Sequence, residues 1–289
     1  MTNDKIYYKA LRLCQISGAK LTIRCISLIY IFTVMFMIIS NFAQAVEEPG
    51  LRHKLWPNSW SLSTLISIKP SYEGSDKYKF QLVPALIPNP ETPASFIDIR
   101  GTDDIRLTLL KRELFEVGPT FGYHFGRNQK DGRKLKGLGN VENGLVLGGF
   151  IKTSLLSSID TSLSYHHEAS GDINGNQFRL SFDYEMYSTS TAYVFSRLVA
   201  TYADGEHMSQ YFGVTEIQQR NSQAGLKKFN ANAGIKGVSL SLGGKLELFD
   251  AIKLNLKGRY GRLIGYAANS PVIETKNQFL ASIGITFSL

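Results

Sequence analysis

From about residue 59 to its end the chain alternates. Phe279, Ala281, Ile283, Ile285, Phe287 and Leu289 fall on odd positions, with Leu280, Ser282, Gly284, Thr286 and Ser288 between them. Successive side chains of a strand point to opposite faces, so this spacing makes one face apolar and the other small or polar. The same period sets Ile252, Leu254, Leu256 and Tyr260 against Lys253, Asn255, Lys257 and Arg259. It sets Val238, Leu240, Leu242, Leu246 and Leu248 against Ser239, Ser241, Lys245 and Glu247. Phe178, Leu180, Phe182, Tyr184 and Met186 oppose Arg179, Ser181, Asp183 and Glu185, and Phe115, Val117, Phe121, Tyr123 and Phe125 oppose Glu116, Thr120 and His124. Helical spacing fits none of these stretches as well.

About twelve such segments are expected, over 59–70, 78–88, 94–101, 103–112, 114–126, 141–155, 159–170, 176–187, 190–203, 237–248, 251–264 and 277–289. Pro84 and Pro119 lie inside two of them, where a missing N–H predicts a bulge or frayed pairing. Two packed soluble sheets also alternate, but their turns are of similar size at both ends. Here connections 127–140, 171–175, 204–236 and 265–276 alternate with the tight turns 156–158, 188–189 and 249–250. Long loops on one side and short turns on the other describe a bacterial outer-membrane barrel. Closure satisfies every backbone group in lipid and leaves no edge. The expected fold is therefore all-β, a closed antiparallel transmembrane β-barrel of about twelve strands. Trp60, Tyr123, Tyr165, Tyr184 and Tyr260 suit its interfacial girdles.

The first 45 residues read differently. Lys5, Lys9, Arg12, Lys20 and Arg24 stand against Asp4, then Ile26 to Ile39 are apolar, then comes Ala43-Gln44-Ala45. That order is a secretory signal peptide with cleavage after Ala45, leaving 46–289 as the barrel. Half of the chain's net +8 belongs to this segment. The remaining +4 is mild and includes no basic run, which removes nucleic acid as an expected partner. Cys14 and Cys25 both lie in the leader. A Cys-based zinc site in the remainder is thereby excluded.

Several short stretches then resemble the MltA-interacting protein / OmpV family of outer-membrane proteins. They are Tyr72-Glu73-Gly74-Ser75-Asp76, Val117-Gly118-Pro119, Lys136-Gly137-Leu138-Gly139 and Tyr211-Phe212-Gly213-Val214-Thr215. Ala233-Gly234-Ile235-Lys236-Gly237-Val238, Arg262-Leu263-Ile264-Gly265 and Asn269-Ser270-Pro271-Val272 complete the set. Their order and spacing cover roughly residues 70–289. The chain departs from the family pattern in two places: Gly237 stands where an acid is usual, and Leu289 replaces a terminal aromatic. The resemblance implies a small outer-membrane barrel in contact with outer-membrane lipid. For the family's namesake it implies a scaffold holding a murein transglycosylase together with a murein synthase. Other members are described as surface adhesins or osmotically regulated proteins.

The residues point to no chemistry of their own. No G-x-S-x-G surrounds any serine, so no enzyme is expected. His166, His167 and Glu168 are consecutive, so only His166 and Glu168 share a face, which is too few for a metal. No cofactor is implied. The expected lumen carries a basic cluster, Lys245, Lys253, Lys257 and Arg259, facing Asp183 and Glu185. Such a lumen either closes on cross-lumen ion pairs, the favoured expectation, or guides small anionic solutes. The long loop 204–236 carries Met208, Tyr211, Phe212 and Val214, which either cap the lumen or form a recognition surface.

Overall fold

The structure, a computed structural model, describes residues 59–89, 97–168 and 174–288. Of residues 59, 60 and 85–89 it describes the backbone alone. The expected leader with its Ala45 cleavage site, the Trp60 side chain and Leu289 lie outside the described residues.

The chain forms β1 (Ser59–Pro70), β2 (Tyr78–Asn89), β3 (Ile97–Gly101), β4 (Asp104–Leu107), β5 (Leu110–Lys111) and β6 (Glu116–His124). There follow β7 (Gly144–Leu156), β8 (Ile159–Glu168), β9 (Asn176–Ser188), β10 (Ala192–Ala203), β11 (Gly234–Phe249), β12 (Ile252–Leu263) and β13 (Asn277–Ser288). Among the described residues three short α-helices sit in the connections: α1 (Gly205–Phe212), α2 (Glu216–Asn221) and α3 (Gly265–Asn269). One antiparallel sheet runs in the order β2-β1-β13-β12-β11-β10-β9-β8-β7-β6-β4-β3, with β5 also paired to β6. The first described strand pairs with the last, Leu65 opposite Gly284, so the sheet curls round on itself.

The expected fourth strand splits in two. Ile105 pairs with Phe121 and Arg106 with Thr120, but Leu110 pairs with Val117, a shift of one residue. Pro119 lies opposite that break and has no N–H to donate. Gly118 is needed at the same place, because a Cβ there would stand 1.8 Å from the Leu107 carbonyl oxygen. Pro84 of β2 stays in register opposite Thr64 of β1, so the bulge expected there does not form. β11 starts at Gly234, earlier than the expected 237. A register shift opposite Thr201 and Tyr202 takes in Lys236, and bulges of this kind re-aim side chains.

The wall inverts the polarity of a water-soluble protein. Leu240 and Leu256 are 54% and 51% exposed, while their inward neighbour Ser241 is buried, as are Ser162, Ser164, Ser181 and Thr120. Apolar area left in water costs about 25 cal/mol per Å², so this outer face belongs in hydrocarbon. Tyr123, Tyr165, Tyr184 and Tyr260 are exposed near strand ends. At the long-loop end the two flanks of the path approach each other: Lys79 Nζ lies 3.9 Å from Asp131, and Lys69 Nζ sits 5.2 Å from the Phe125 ring.

Candidate functional site: a crossed lumen under a cap

The buried apolar clusters lie at the long-loop end. One joins Val141, Ala203, Met208, Tyr211, Phe212, Leu263, Ala267 and Ile273. The other joins Tyr72, Leu135, Leu138, Val214, Leu226 and Val272. Each draws on several connections, so together these loops form a small globular cap. Asp204 starts α1 by accepting from the His207 N–H, and Thr215 and Gln218 start α2 with a reciprocal capping box. Met208, Tyr211, Phe212 and Val214 all point into this core. They therefore form a cap and present no apolar recognition patch.

Most of the short motifs converge here. Tyr72 donates to the Val272 carbonyl (3.2 Å), Ser75 faces Glu274, and Ser270 donates to the Phe212 carbonyl (2.6 Å) beside Pro271. Gly74 adopts φ +101°, and a Cβ there would stand 2.3 Å from Ile273 Cγ2. Its carbonyl accepts from the N–H of both Glu274 and Thr275. Gly137 and Gly139 flank the buried Leu138, and the Gly213 N–H closes α1 on Ser209. Other motif residues lie in the wall: Val117, Gly118 and Pro119 in β6, Gly237 and Val238 in β11, and Arg262, exposed on β12.

A buried polar chain ties the cap to the wall. Lys236 Nζ lies 3.0 Å from the Glu73 carboxylate and 3.1 Å from His207 Nε2. An ammonium only donates, so Nε2 accepts and the proton sits on Nδ1, which faces Glu168 Oε1 at 3.3 Å. Glu168 also accepts from Gln177 Nε2 (2.8 Å) and from the Tyr211 hydroxyl (3.4 Å). The same hydroxyl lies 2.9 Å from His124 Nδ1. Burial, then the adjacent Lys236 charge, lower the His207 pKa. Burial alone would raise Glu73, but Lys236 and then His207 hold it below the usual carboxylate range. Burial and then Glu168 push the Tyr211 phenol up. The groups are two carboxylates, one ammonium, two imidazoles, an amide and a phenol. This arrangement ties the cap to β8, β9 and β11.

Below the cap the β3–β4 hairpin enters the lumen. Arg106, fully buried, grips Asp104 (Nε to Oδ1, 2.9 Å) and reaches Ser162 and Ser164 of β8 at 2.9 and 3.0 Å. Arg100 pairs with Asp98 and, across the lumen, with Asp183 of β9, both at 2.7 Å. Asp103 pairs with Arg179 of β9. From the opposite wall Lys257 Nζ donates to the Arg100 carbonyl (2.8 Å). His166 lies in this interior against Ser164, while His167 turns to the rim.

One expectation is corrected. Asp183 does not face the basic cluster; Arg100 and Arg197 take it instead. The reason is the hairpin, whose entry supplies Arg100 on the acidic side of the lumen. Among the described residues Lys245, Lys253 and Arg259 have no carboxylate within 4.0 Å, and Lys253 stands in register with Glu247 without an ion pair. The interior is therefore charge-separated: paired on the β3–β10 side, and basic along β11 and β12. The sequence placed Glu73 and Lys236 inside motifs without connecting them to each other or to His207. The signals available were Asp204 as a helix N-cap residue and Glu168 in phase with the inward His166.

The family described as MltA-interacting protein MipA matches residues 62–289. No curated relative matches the chain. Among solved structures, the N-terminal β-barrel domain of Pseudomonas aeruginosa OprF is 16% identical, covering 62% of this chain and 98% of that one, with TM-score 0.27. The KdgM porin is 8% identical, covering 79% and 99%, with TM-score 0.38. OmpT of Vibrio cholerae is 7% identical, covering 80% and 97%, with TM-score 0.35. At these scores the likenesses bear on neither solute nor mechanism.

Proposed function

The chain belongs to the MltA-interacting protein MipA family and is an outer-membrane protein, and from that premise we propose that it is a closed, plugged barrel that acts as a scaffold for murein-remodelling enzymes. The observation that carries this reading is the hairpin crossing. Arg100, Asp103, Arg106 and Lys257 tie β3 and β4 to both opposing walls, which suits a rigid platform better than a conduit. Closure brings β2 against the strands at the other end of the path, and the Lys79–Asp131 and Lys69–Phe125 contacts support it. Long loops face outward and tight turns face the periplasm, where a murein transglycosylase and a murein synthase meet the protein. It is not itself an enzyme and uses no cofactor.

Two experiments test this. The full-length protein in detergent is used as bait in an envelope extract. Recovery of both a transglycosylase and a murein synthase supports the scaffold; recovery of neither sinks it. Amide exchange on β2 tests closure. A sealed barrel protects both alternating sets of β2 amides, whereas an open edge leaves one set fast.

A second reading is favoured by the uncompensated cations Lys245, Lys253 and Arg259: a small anionic-solute channel. It requires stable anion-selective conductance that falls when these residues are neutralised.

A further inference from the structure

Two places on the rim are built alike. On β8 and β9, the Tyr165 hydroxyl donates to Asn176 Oδ1 (2.6 Å), and His167 Nδ1 lies 2.9 Å from the same oxygen. On β12 and β13, the Tyr260 hydroxyl donates to Asn277 Oδ1 and Arg262 Nη1 donates to it too, both at 3.0 Å. Tyr165 packs on Phe178 at 5.1 Å and 45°, and Tyr260 packs on Phe279 at 5.0 Å and 44°. The second partner strand opens Asn176-Gln177-Phe178 in one case and Asn277-Gln278-Phe279 in the other. Each is a clamp of a tyrosine, the residue two further on, and an asparagine on the neighbouring strand.

They differ in charge. In the first clamp the Asn176 amide nitrogen donates to the Asp204 carboxylate (2.6 Å), so an acceptor of the protein completes it. In the second, Asn277 Nδ2 and the remaining N–H groups of Arg262 have no such acceptor among the described residues. Arg262 is exposed on the face of β12 that carries Leu256 and Tyr260. The outward positions beside it on β11, β12 and β13 are apolar, aromatic or neutral. A full charge on a lipid-facing surface is costly unless it meets an anion at the interface. The guanidinium fork matches a phosphate, and the asparagine amide adds a third donor.

We propose that Arg262 and Asn277 form a docking site for a phosphate of the outer-leaflet glycolipid, with Tyr260 and Phe279 against its acyl region. The phosphate takes the place that Asp204 fills in the first clamp. This goes beyond the scaffold reading and does not depend on any murein partner.

The test uses full-length protein in nanodiscs of zwitterionic lipid, titrated with bis-phosphorylated lipid A and read by native mass spectrometry. Wild type is expected to retain lipid A at least about tenfold more tightly than Arg262→Gln, the size of one lost charge-assisted hydrogen bond. Arg262→Lys keeps part of the binding, and His167→Gln changes nothing. Heat-modifiable migration confirms that each variant is folded. Equal retention by Arg262→Gln, or equal binding of dephosphorylated lipid A, overturns the site. Preference for phosphatidylglycerol overturns the outer-leaflet assignment. Inorganic phosphate competing at equal concentration overturns the lipid as the source of the anion.

Discussion

The wall and the cap are built from one chain by opposite rules. Along β11 to β13 most apolar side chains face out, while Ser239, Ser241, Lys253, Lys257 and Arg259 alternate with them on the other face. In the cap, Phe212, Met208, Leu135 and Val272 are fully buried, and charged residues such as Lys130, Arg133 and Glu216 are outside. The difference follows from the solvent each meets. Strands in hydrocarbon satisfy their backbone through neighbours and need an apolar exterior. Loops in water need an apolar core, and here several loops must pool residues to make one. The Glu73–Lys236–His207–Glu168 chain lies where the two rules meet.

The largest effect that separates the two regions is expected from Phe212→Ala. Its cavity costs about 3–5 kcal/mol within the cap. Proteolysis at 204–233 should become fast while heat-modifiable migration persists; simultaneous loss of both would mean that cap and wall are one cooperative unit. Leu256→Arg is next, at about 2–4 kcal/mol on the lipid face. Urea unfolding in vesicles should show that loss, and the exposed cap position Ile217→Arg should show almost none. Lys236→Met removes the partner of Glu73, whose side chain keeps contact with water, and the donor to the buried His207 Nε2, for about 1–3 kcal/mol. Its signature is faster amide exchange in α1 with β11 unchanged.

The smallest effect is that of pH. His207 has a folded pKa below its ordinary value of about 6.5, so the unfolded cap binds the proton more readily. Glu73 is likewise held low and binds its proton less readily when folded. Both make cap stability greatest above about pH 6.5, with the His207 part lost first as pH falls below that value. Cleavage at 204–233 should accelerate between pH 7.5 and 5, and His207→Gln should flatten the change. A cap that tightens on acidification would contradict the tautomer deduced for His207.

The wall was legible because period two is local. Ile283, Ile285 and Phe287 announce their face without reference to any other strand. The split of 103–112 was less legible: Pro119 signalled trouble, but not that β4 would pair out of step with β5. The cap was half legible: Met208, Tyr211, Phe212 and Val214 offered it as one reading of the loop 204–236, but nothing there linked that loop to the other connections. Its core takes Tyr72, Leu135, Val214 and Val272 from four separate connections, and no periodicity links them. Only punctuation such as Gly74 and Ser270-Pro271 marked the places where those connections touch. For the lumen cluster, alternation says which way a side chain points and not what enters from the other side, so Asp183 was given partners whose place Arg100 and Arg197 take. Arg100 arrived on a hairpin that the pattern treated as ordinary wall.

Conductance across a planar bilayer shows whether the lumen is plugged. With the β3–β4 hairpin tied by Arg100, Asp103 and Arg106, reconstituted wild-type protein should give no stable steps. Removing those ties (Arg100→Ala with Arg106→Ala) should produce openings. Stable, anion-selective steps from the wild type would contradict the account.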